Sequence, residues 1–484
     1  MGVTNQARGW VRVRGLCRAM AGCGVLVCAT GFSVRAGVVP NAGAEAAVAC
    51  VSAAPADGLF SAVFATNVAE VTFGAVGTDR ALSLSCVSID GTVASGASPT
   101  GMAAFSQGTF DAARTGVSVR LGRVSGELHG TGPDQAFGAL AWSGAGGLTN
   151  PATLWAGLID GVVSANAGPD GTLAAALCAG TAVDVTLGSG AVLFGGTYGW
   201  DTGDGSAASA ASALQTLLAK VKARTATAAE SNALVTAAAD GFAVLGGHGE
   251  DTLAFASGNT AVFGTVALGE GYDRVALAGV ASGERVSLPT MDGVELLAVT
   301  NCPDVSVANT AGLADLFVGS NSLCRLKDAS CVFDGLYGTG TVVPEGTLQA
   351  TGMIAVARFE PAVTGAVLSV NGNLTLGNGV TCALRTAEEE GAWVNDRVAV
   401  SGALTVAGGG TIDLGCAEEA PLALNTRLVL FTAADGIANP GALSSWQLIG
   451  TGRDDERKVI RTIRAEGNAV VAVIAVGGTF ISLR

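Results

Sequence analysis

Three short segments of this chain carry the same pattern of residues at a constant interval of 22 positions. Residues 249–255, 271–277 and 293–299 each place an acid two positions after a glycine, and an apolar residue two positions after the acid. A fixed period of this length is typical of a solenoid, in which a unit too small to bury its own apolar face stacks on its neighbours. The pattern therefore predicts stacked β-coils before it predicts any function.

A second internal match aligns residues 367–384 with residues 397–414 at an offset of 30. The identical aligned pairs are Val370/Val400, Gly372/Gly402, Leu374/Leu404, Thr375/Thr405, Gly379/Gly409, Thr381/Thr411 and Leu384/Leu414. Apolar and small polar residues alternate between the glycines, which predicts strands joined by turns. We expect residues 387–391 to leave the stack as a loop. The sequence thus predicts a β-solenoid over residues 242–484, ending in a hairpin formed by residues 458–464 and 469–476.

The composition favours the same class of structure in the N-terminal half. Glycine accounts for 71 residues, whereas charged residues make up 14% and aromatic residues 5%. Abundant glycine suits short strands joined by tight turns, where it adopts positive φ angles at little steric cost. Alternating stretches such as residues 80–89 and 117–124 predict a β-rich N-terminal domain over residues 37–205. Alternation alone leaves open whether this domain is a sandwich or an irregular solenoid.

Residues 206–241 change to a helical pattern. Leu214, Leu217, Leu218 and Val221 follow the spacing of an amphipathic helix. Thr227 and Glu230 form a capping box that opens a second helix. We predict a helical hairpin that joins the two β regions or covers one end of the solenoid. A helix that binds a partner protein is the alternative.

The first 36 residues predict a secretory signal peptide. A basic region with Arg8 and Arg18 precedes an apolar stretch over residues 19–34, and small residues lie around Ala36. The apolar stretch is shorter than the roughly 20 residues that a membrane-spanning helix needs. Removing residues 1–36, which hold five Arg and no acid, would shift the formal charge from -14 to -19. We therefore expect a secreted or bacterial cell-surface protein with no integral membrane span after signal removal. Its acidic surface should repel nucleic acid. The sequence does not indicate its oligomeric state.

Eight cysteines follow the signal region. Export permits disulfides, and Cys324 with Cys331 could close a hairpin. The alternative, which we favour for most of them, is that these cysteines are small buried core residues.

The C-terminal third resembles a known family. Residues 374–379, 396–414 and 428–436 are similar to the autotransporter-associated strand repeats in passenger regions of bacterial surface proteins, and the resemblance covers about residues 346–484. It implies a right-handed parallel β-helix displayed outside the cell, with a structural or adhesive role and no catalytic residues. Family members carry a translocator barrel of many amphipathic strands, each about 10 residues long. This sequence shows no such region, so the route of export and anchoring stays open.

Residues 246–254 match the calcium-binding nonapeptide of secreted toxins, in which glycine turns expose carbonyl groups and an Asp to the ion. In those proteins the ions lie between tandem turns. Here the next acid comes 22 residues later, and Leu268 replaces the first glycine of the motif. Asp251, Asp273 and Glu295 are therefore either calcium ligands or, as we favour, caps of turns along one edge of the solenoid. No other cofactor is indicated.

Catalytic motifs are sparse. The chain has two histidines, His129 and His248, and contains neither a G-x-S-x-G motif nor a Gly-Lys phosphate loop. Aromatic residues of the N-terminal half could form a carbohydrate platform if they shared one groove, although isolated core tryptophans are commoner. These residues are Trp142, Trp155, Tyr198 and Trp200.

Two functions remain. The favoured one is a non-enzymatic, exported β-solenoid with a structural or adhesive role. The alternative is a carbohydrate-active protein, either a glycan-binding module or a β-helix polysaccharide lyase or hydrolase that works through acids and an Arg. The expected partners are a glycan or another component of the cell surface or extracellular matrix.

Overall fold

The computed structural model describes residues 60–66, 71–76, 82–93, 100–107, 117–143, 151–201, 204–350, 353–361, 367–416, 420–453 and 459–476. The predicted signal peptide lies outside these residues. The described chain forms two compact units. Unit 1 ends at Val275 and also includes residues 289–294, and unit 2 comprises residues 276–288 and 295–484.

The fold is mainly β, as the sequence predicts. The strands of unit 1 are β1 (Phe60–Thr66), β2 (Val71–Val76), β3 (Leu82–Ile89), β4 (Thr92–Val93), β5 (Thr100–Gln107), β6 (Val117–Val124), β7 (Glu127–Gly132), β8 (Gln135–Ser143), β9 (Ala152–Ile159), β10 (Val162–Ala167), β11 (Leu173–Ala179), β12 (Ala182–Leu187), β13 (Val192–Gly196), β14 (Phe242–Leu245), β15 (Thr252–Phe255), β16 (Ala261–Phe263), β17 (Thr265–Ala267) and β20 (Met291–Asp292). The two intervening strands are β18 (Arg274–Ala278), which contains the unit boundary, and β19 (Arg285–Ser287) of unit 2.

Three parallel sheets build unit 1. Sheet I has the order β1-β3-β6-β9-β12-β15, sheet II has the order β2-β5-β8-β11-β14-β17-β20, and sheet III has the order β4-β7-β10-β13-β16. From β3 to β17 the chain visits sheets I, III and II in turn. Each strand therefore pairs with the strand that lies three places further along the chain. An antiparallel β-sandwich, one of the two expectations for this half, does not pair its strands in this way.

In-register pairing stacks like side chains in buried ladders. In sheet I, Leu84, Val119, Leu154 and Val183 are successive register partners, and each is no more than 1% exposed. Burying one such side chain stabilises the fold by about 1.5–3 kcal/mol. A single strand supplies few of these contacts, so each strand depends on the strands next to it.

Glycine permits the close approach of successive turns between sheets I and III. A Cβ atom on Gly161 would lie 2.1 Å from the carbonyl oxygen of Gly126, and a Cβ on Gly126 would lie 2.1 Å from that of Gly91. Both distances are far below van der Waals contact. The three glycines therefore stack where any larger residue would push the successive turns apart, which explains part of the high glycine content.

The helical hairpin lies inside unit 1 and comprises helix α1 (Ala207–Lys222) and helix α2 (Ala228–Ala237). Ser206 caps α1, and the predicted capping box between Thr227 and Glu230 is present at the start of α2. The helices pack against the outer face of sheet III, where one apolar cluster contains Val162, Val192, Phe194, Leu214, Leu217, Leu218, Leu234 and Ala238. The hairpin therefore covers the flank of a sheet whose strands β10 and β13 are buried on both faces.

The strands of unit 2 after β19 are β21 (Val294–Thr300), β22 (Val305–Ala308), β23 (Leu313–Val318), β24 (Leu323–Leu326), β25 (Ser330–Phe333), β26 (Gly335–Gly338), β27 (Thr341–Pro344), β28 (Thr347–Ala350), β29 (Met353–Ala355), β30 (Arg358–Phe359), β31 (Val367–Asn371), β32 (Leu374–Leu376), β33 (Thr381–Ala383), β34 (Thr386–Glu389), β35 (Ala392–Asn395), β36 (Arg397–Val400), β37 (Leu404–Val406), β38 (Thr411–Cys416), β39 (Arg427–Ala433), β40 (Ile437–Ala438), β41 (Gln447–Thr451), β42 (Val459–Glu466) and β43 (Ala469–Val476). A 3-10 helix, Pro440–Ser445, precedes β41.

Unit 2 contains three sheets of seven or eight strands and one two-stranded sheet, β34-β35. Sheet IV has the order β21-β23-β26-β29-β32-β37-β40, sheet V the order β19-β22-β24-β27-β30-β33-β38-β41, and sheet VI the order β25-β28-β31-β36-β39-β43-β42. The residues aligned at an offset of 30 are register partners: Val370 pairs with Val400, Leu374 with Leu404, and Thr381 with Thr411. The sequence match therefore gives the strand register directly.

Two antiparallel hairpins interrupt the parallel pattern of unit 2. Strands β42 and β43 form the expected terminal hairpin, and β43 also pairs with β39. Residues 387–391 were expected in a loop, but most of them lie in a short hairpin formed by β34 and β35. In the chain, that hairpin lies between β33 of sheet V and β36 of sheet VI, and both strands keep their parallel pairing, with β38 and β31 respectively.

Cysteine side chains are part of the packed interior. In the described ranges Cys86, Cys178, Cys302, Cys324, Cys331 and Cys382 are buried free thiols, and Cys416 is half-buried. Burial raises the pKa of Cys324 and Cys331, as it does for the other buried thiols. Both behave as small apolar core residues, the role we favoured from the sequence. The helices of the described residues include none long and apolar enough to cross a membrane.

The buried ladders predict a sharp difference between neighbouring positions of β9. Leu154→Ala removes a ladder side chain and should lower the free energy of unfolding by about 2–5 kcal/mol. Thr153→Ala, on the opposite face of the same strand, should change it by about 0.5 kcal/mol or less. Chemical denaturation followed by circular dichroism measures both values, and equal losses would contradict the assignment of the two faces.

Candidate functional site

The outer face of sheet I presents an aromatic ring with charged neighbours. Trp155 on β9 is the register partner of Arg120 on β6 and of Asp184 on β12. The Arg120 guanidinium carbon lies 5.0 Å from the centroid of the tryptophan ring, within range of a cation–π interaction. Arg120 and Asp184 are exposed and Trp155 is half-buried. An aromatic ring, a donor and an acceptor therefore line one solvent-facing strip.

A glycine forms the floor beneath this ring. A Cβ atom on Gly157 would lie 2.7 Å from Cη2 of Trp155, so the indole extends along its own strand over Gly157. At the edge of the strip, Arg123 forms an ion pair with Asp160. The pair is solvent-exposed, so its contribution to stability is small. The strip, defined by Arg120, Trp155, Gly157 and Asp184, can stack a flat ligand and hydrogen-bond its edges.

The other predicted aromatic residues occupy different places. Trp142 on β8 is 6% exposed and packs in a core cluster with Phe137 and Leu140. Tyr198 and Trp200 follow β13 and are half-buried. The structure therefore brings Tyr198 and Trp200 together and leaves Trp155 on sheet I, with Trp142 in the interior.

The buried amide of Asn166 organises the segment with Tyr198 and Trp200. Its Nδ2 donates to the Tyr198 carbonyl at 3.0 Å, and its Oδ1 accepts from the Tyr198 amide at 2.8 Å. The same oxygen accepts from Nε1 of Trp200 at 3.2 Å. One polar side chain near the end of β10 thus fixes the backbone of Tyr198 and the indole of Trp200.

Two of the predicted acids are buried and bond to the backbone of neighbouring turns. Asp251 is 1% exposed and its Oδ1 accepts a hydrogen bond from the Val183 amide. The Asp251 amide in turn donates to Oδ1 of Asp273 at 2.8 Å, and Asp273 is fully buried. Asp251 and Asp273 therefore cap successive turns of unit 1. Glu295 lies on β21 in unit 2 and is half-buried.

Burial changes the acid strength of Asp251. Desolvation and then the charge of Asp273 raise the pKa of Asp251 to about 8, against hydrogen bonds from Val183 and Gly247 that lower it. A Cβ on Gly246 would come within 2.0 Å of Oδ2 of Asp251, so the carboxyl group packs directly against this glycine. A protonated carboxyl group suits so dry a site better than a carboxylate does.

The acids have few partners that could complete a metal site. In the described part of the chain, no group of three or more His, Cys, Asp or Glu side chains is arranged to hold a metal ion. His248, inside the nonapeptide match, contacts Glu270 through its Nδ1 at 3.1 Å. Calcium binding by Asp251, Asp273 and Glu295 stays a prediction, whereas the hydrogen bonds of the first two support the role of turn caps.

Sequence reasoning missed a buried polar chain under helix α1. Nδ1 of His129 lies 2.7 Å from Oγ of Ser164, and Nε2 of His129 lies 3.0 Å from a carboxylate oxygen of Glu127. The hydrogen bond from His129 lowers the pKa of Glu127. His129 and Ser164 are each 1% exposed, and Lys222 of α1 donates to the Ser125 carbonyl beside them. This chain fixes the polar end of the face on which α1 packs.

The spacing of these residues repeats an interval that leaves only a faint signal in the sequence. His129 and Ser164 are register partners at an offset of 35, which is also the offset of Arg120 and Trp155. Few residues are identical at this offset, so the interval is hard to see in the sequence. A comparison with protein-family models and a comparison with curated proteins found no match to this chain.

The raised pKa of Asp251 predicts how stability depends on pH. The unfolded carboxyl group ionises near its ordinary pKa of 3.8, whereas the folded group keeps its proton up to about pH 8. Between these values the folded state binds more protons, so stability should fall as pH rises, by at most roughly 1.4 kcal/mol per pH unit. Asp251→Asn should flatten this slope because the asparagine amide does not titrate in this range. Its amide oxygen can still accept from the Val183 amide.

Urea unfolding of the wild type and of Asp251→Asn at several pH values between 4.5 and 8 measures this effect. The exposed Asp184→Asn on the neighbouring strand is the matched control and should keep the wild-type slope. A wild-type slope in Asp251→Asn would show that another group is responsible.

Proposed function

We propose that this chain is an exported, non-enzymatic β-solenoid with a structural or adhesive role at the bacterial surface or outside the cell. The observation that carries the proposal is the parallel, in-register pairing of strands that repeats along both units. In unit 1 and in sheets IV and V, successive strands of each sheet lie next to one another in chain order, and many of their buried side chains form apolar ladders.

The order in which the chain visits its sheets supports the proposed solenoid. A chain that returns to the same sheet every third strand, always in parallel, winds as a coil with three sides. Each coil satisfies its backbone hydrogen bonds with the coils before and after it. We propose that these coils form a right-handed parallel β-helix, consistent with the resemblance of residues 346–484 to autotransporter-associated strand repeats.

A role outside the cell is supported by residues beyond the described ranges and by composition. Residues 1–36 have the pattern of a secretory signal, and the formal charge of the chain is -14. A rigid, acidic, glycine-rich β structure remains soluble and resists local unfolding in an extracellular medium. Its interior is filled by packed side chains, so binding would take place on the side walls.

Glycan binding is the second candidate function. The outward strip of Arg120, Trp155, Gly157 and Asp184 supports it, because an aromatic ring flanked by a donor and an acceptor suits a sugar ring and its hydroxyl groups. Binding on a side wall also agrees with an adhesive role.

Deletion of one coil tests the solenoid. Removing residues 367–396 would bring Val400 to the place of Val370, next to Leu348, and Leu404 to the place of Leu374. Because stability in a solenoid is a sum over neighbouring coils, this variant should keep its β circular dichroism and unfold cooperatively. A control that removes residues 367–381, half that length, shifts the register and should aggregate or lose cooperativity. Equal behaviour of both variants would argue against stacked coils.

Cell fractionation tests the proposed location. In a Gram-negative host, the full chain with a C-terminal epitope tag should be found outside the cytoplasm, with a new N-terminus at Gly37. A variant that lacks residues 2–36 should stay inside. Uncleaved full-length protein in the cytoplasm would contradict export.

A further inference from the structure

Sheet IV of unit 2 carries a second pair of outward aromatic rings. Phe317 on β23 and Tyr337 on β26 are register partners on adjacent strands. Phe317 is 37% exposed, and Tyr337 is half-buried. Neither residue is needed for the buried ladders, which on these strands contain Leu316 and Leu336.

The tyrosine ring lies flat on its own strand. A Cβ atom on Gly335 would lie 1.9 Å from the hydroxyl oxygen of Tyr337 and 2.1 Å from its Cζ. The ring therefore covers Gly335 on one side and turns its other face outward. In unit 1, Trp155 covers Gly157 in a similar way. The tryptophan extends toward the C-terminal end of its strand, whereas the tyrosine extends toward the N-terminal end.

One carboxyl group accepts a hydrogen bond from the tyrosine hydroxyl. Tyr337 donates a hydrogen bond to the side chain of Asp315, the register partner of Gly335. Desolvation, and then the charge of Asp334, raise the pKa of Asp315. The ring is thus held in place by an acid, whose carboxyl group can accept further hydrogen bonds.

A flat floor continues beside the rings. The strand after β26 places Ala355 next to Tyr337, and a Cβ on Gly377 would lie 2.8 Å from Cβ of Ala355. Small residues therefore follow the rings across strands that are spaced about 4.8 Å apart. We name this surface, made of Phe317, Tyr337, Ala355 and Gly377, the aromatic shelf.

The charges near the aromatic shelf restrict its ligand. The described strands of sheet IV contain Glu295 and Asp315 but no Lys or Arg. An anionic polymer would be repelled by these acids and would find no Lys or Arg on these strands to pair with. A neutral polysaccharide fits, because the C–H faces of its sugar rings stack on aromatic rings and its hydroxyl groups donate to carboxylates.

We propose that the aromatic shelf is a binding subsite for an extended, neutral polysaccharide, with a sugar ring stacked on Tyr337 and Phe317 and a hydroxyl group bonded to Asp315. This rests on glycan binding, the second candidate function above, and is independent of Trp155. The spacing of neighbouring strands is close to the length of one sugar residue in an extended chain. The small residues beside the rings therefore leave room for the polysaccharide to continue past the rings.

Retention of the full chain on insoluble cellulose, xylan and chitin, with alginate as the anionic comparison, tests the proposal. Tyr337→Ala should weaken binding to the preferred neutral polysaccharide about tenfold, the size of one aromatic stacking contact. Tyr337→Phe keeps the ring and should lose less. Gly335→Ala keeps the tyrosine but lifts its ring from the strand, so it should resemble Tyr337→Ala.

Matched controls separate the shelf from general effects. Val332→Ala removes an apolar side chain that is 46% exposed on β25, outside sheet IV, and should bind as the wild type does. Circular dichroism and the thermal midpoint of each variant show whether it is folded. A tetra-arginine peptide, measured by fluorescence anisotropy, tests the alternative that the shelf takes a basic partner.

Retention on a neutral polysaccharide that falls in Tyr337→Ala and Gly335→Ala but not in Val332→Ala is the expected result. Wild-type binding by Tyr337→Ala, binding of the peptide alone, or no binding to any neutral polysaccharide would each overturn the proposal. A loss in Trp155→Ala without a loss in Tyr337→Ala would keep glycan binding and reject this subsite. Export and coil stacking are judged separately, by fractionation and by deletion of residues 367–396.

Discussion

The structure of each unit depends on parallel strands that stay in register from one turn of the chain to the next. Register satisfies the backbone hydrogen bonds of every inner strand on both sides, and it also places each inward side chain on its equivalent in the next strand. A shift of one residue would turn an apolar ladder such as that of Leu154 toward solvent. Pairing and packing therefore select the same register, which explains how short strands, several of only three residues, are held in place.

The turns between strands must meet the same spacing, and the chain does this in two ways. Glycines such as Gly126 and Gly161 allow turns to stack at distances that a Cβ would prevent. Elsewhere, side-chain oxygens accept backbone N–H groups that the sheets leave unpaired. Oγ1 of Thr181 accepts from the Ala152 amide at 2.9 Å, and in unit 2 Oγ of Ser322 accepts from the Cys302 amide at 3.2 Å. The side chains of Asp251 and Asp273 also accept backbone N–H groups, which gives a structural reason for two acids at buried positions.

This construction determines where function can lie. The helical hairpin covers the outer face of sheet III, and β8 and β11 of sheet II are buried along residues 136–142 and 173–179, whereas the outer faces of sheets I and IV meet solvent. On two of these faces an aromatic ring rests on a glycine beside a carboxyl group: Trp155 on Gly157 and Tyr337 on Gly335. Because the glycine allows the ring to lie flat, each ring can offer a broad face to a ligand. Both sites require a residue with no side chain at one position and an aromatic residue two positions away.

The sequence by itself determined the parts of the structure that local pattern controls. The identical positions of residues 367–384 and 397–414 gave their register, since equivalent residues in stacked strands meet equivalent neighbours. The Thr227 capping box and the terminal hairpin also followed from short-range pattern. The tertiary structure alone decided the 35-residue interval of the N-terminal half, where packing needs only apolar character at the paired positions and identity is low. It also decided which aromatic residues face solvent, because alternation along a strand gives two faces but does not tell which one an isolated Trp142 or Trp155 occupies. Contacts such as those of Tyr337 with Gly335 and Asp315 depend on which strands become neighbours, and the full winding of the chain sets that arrangement.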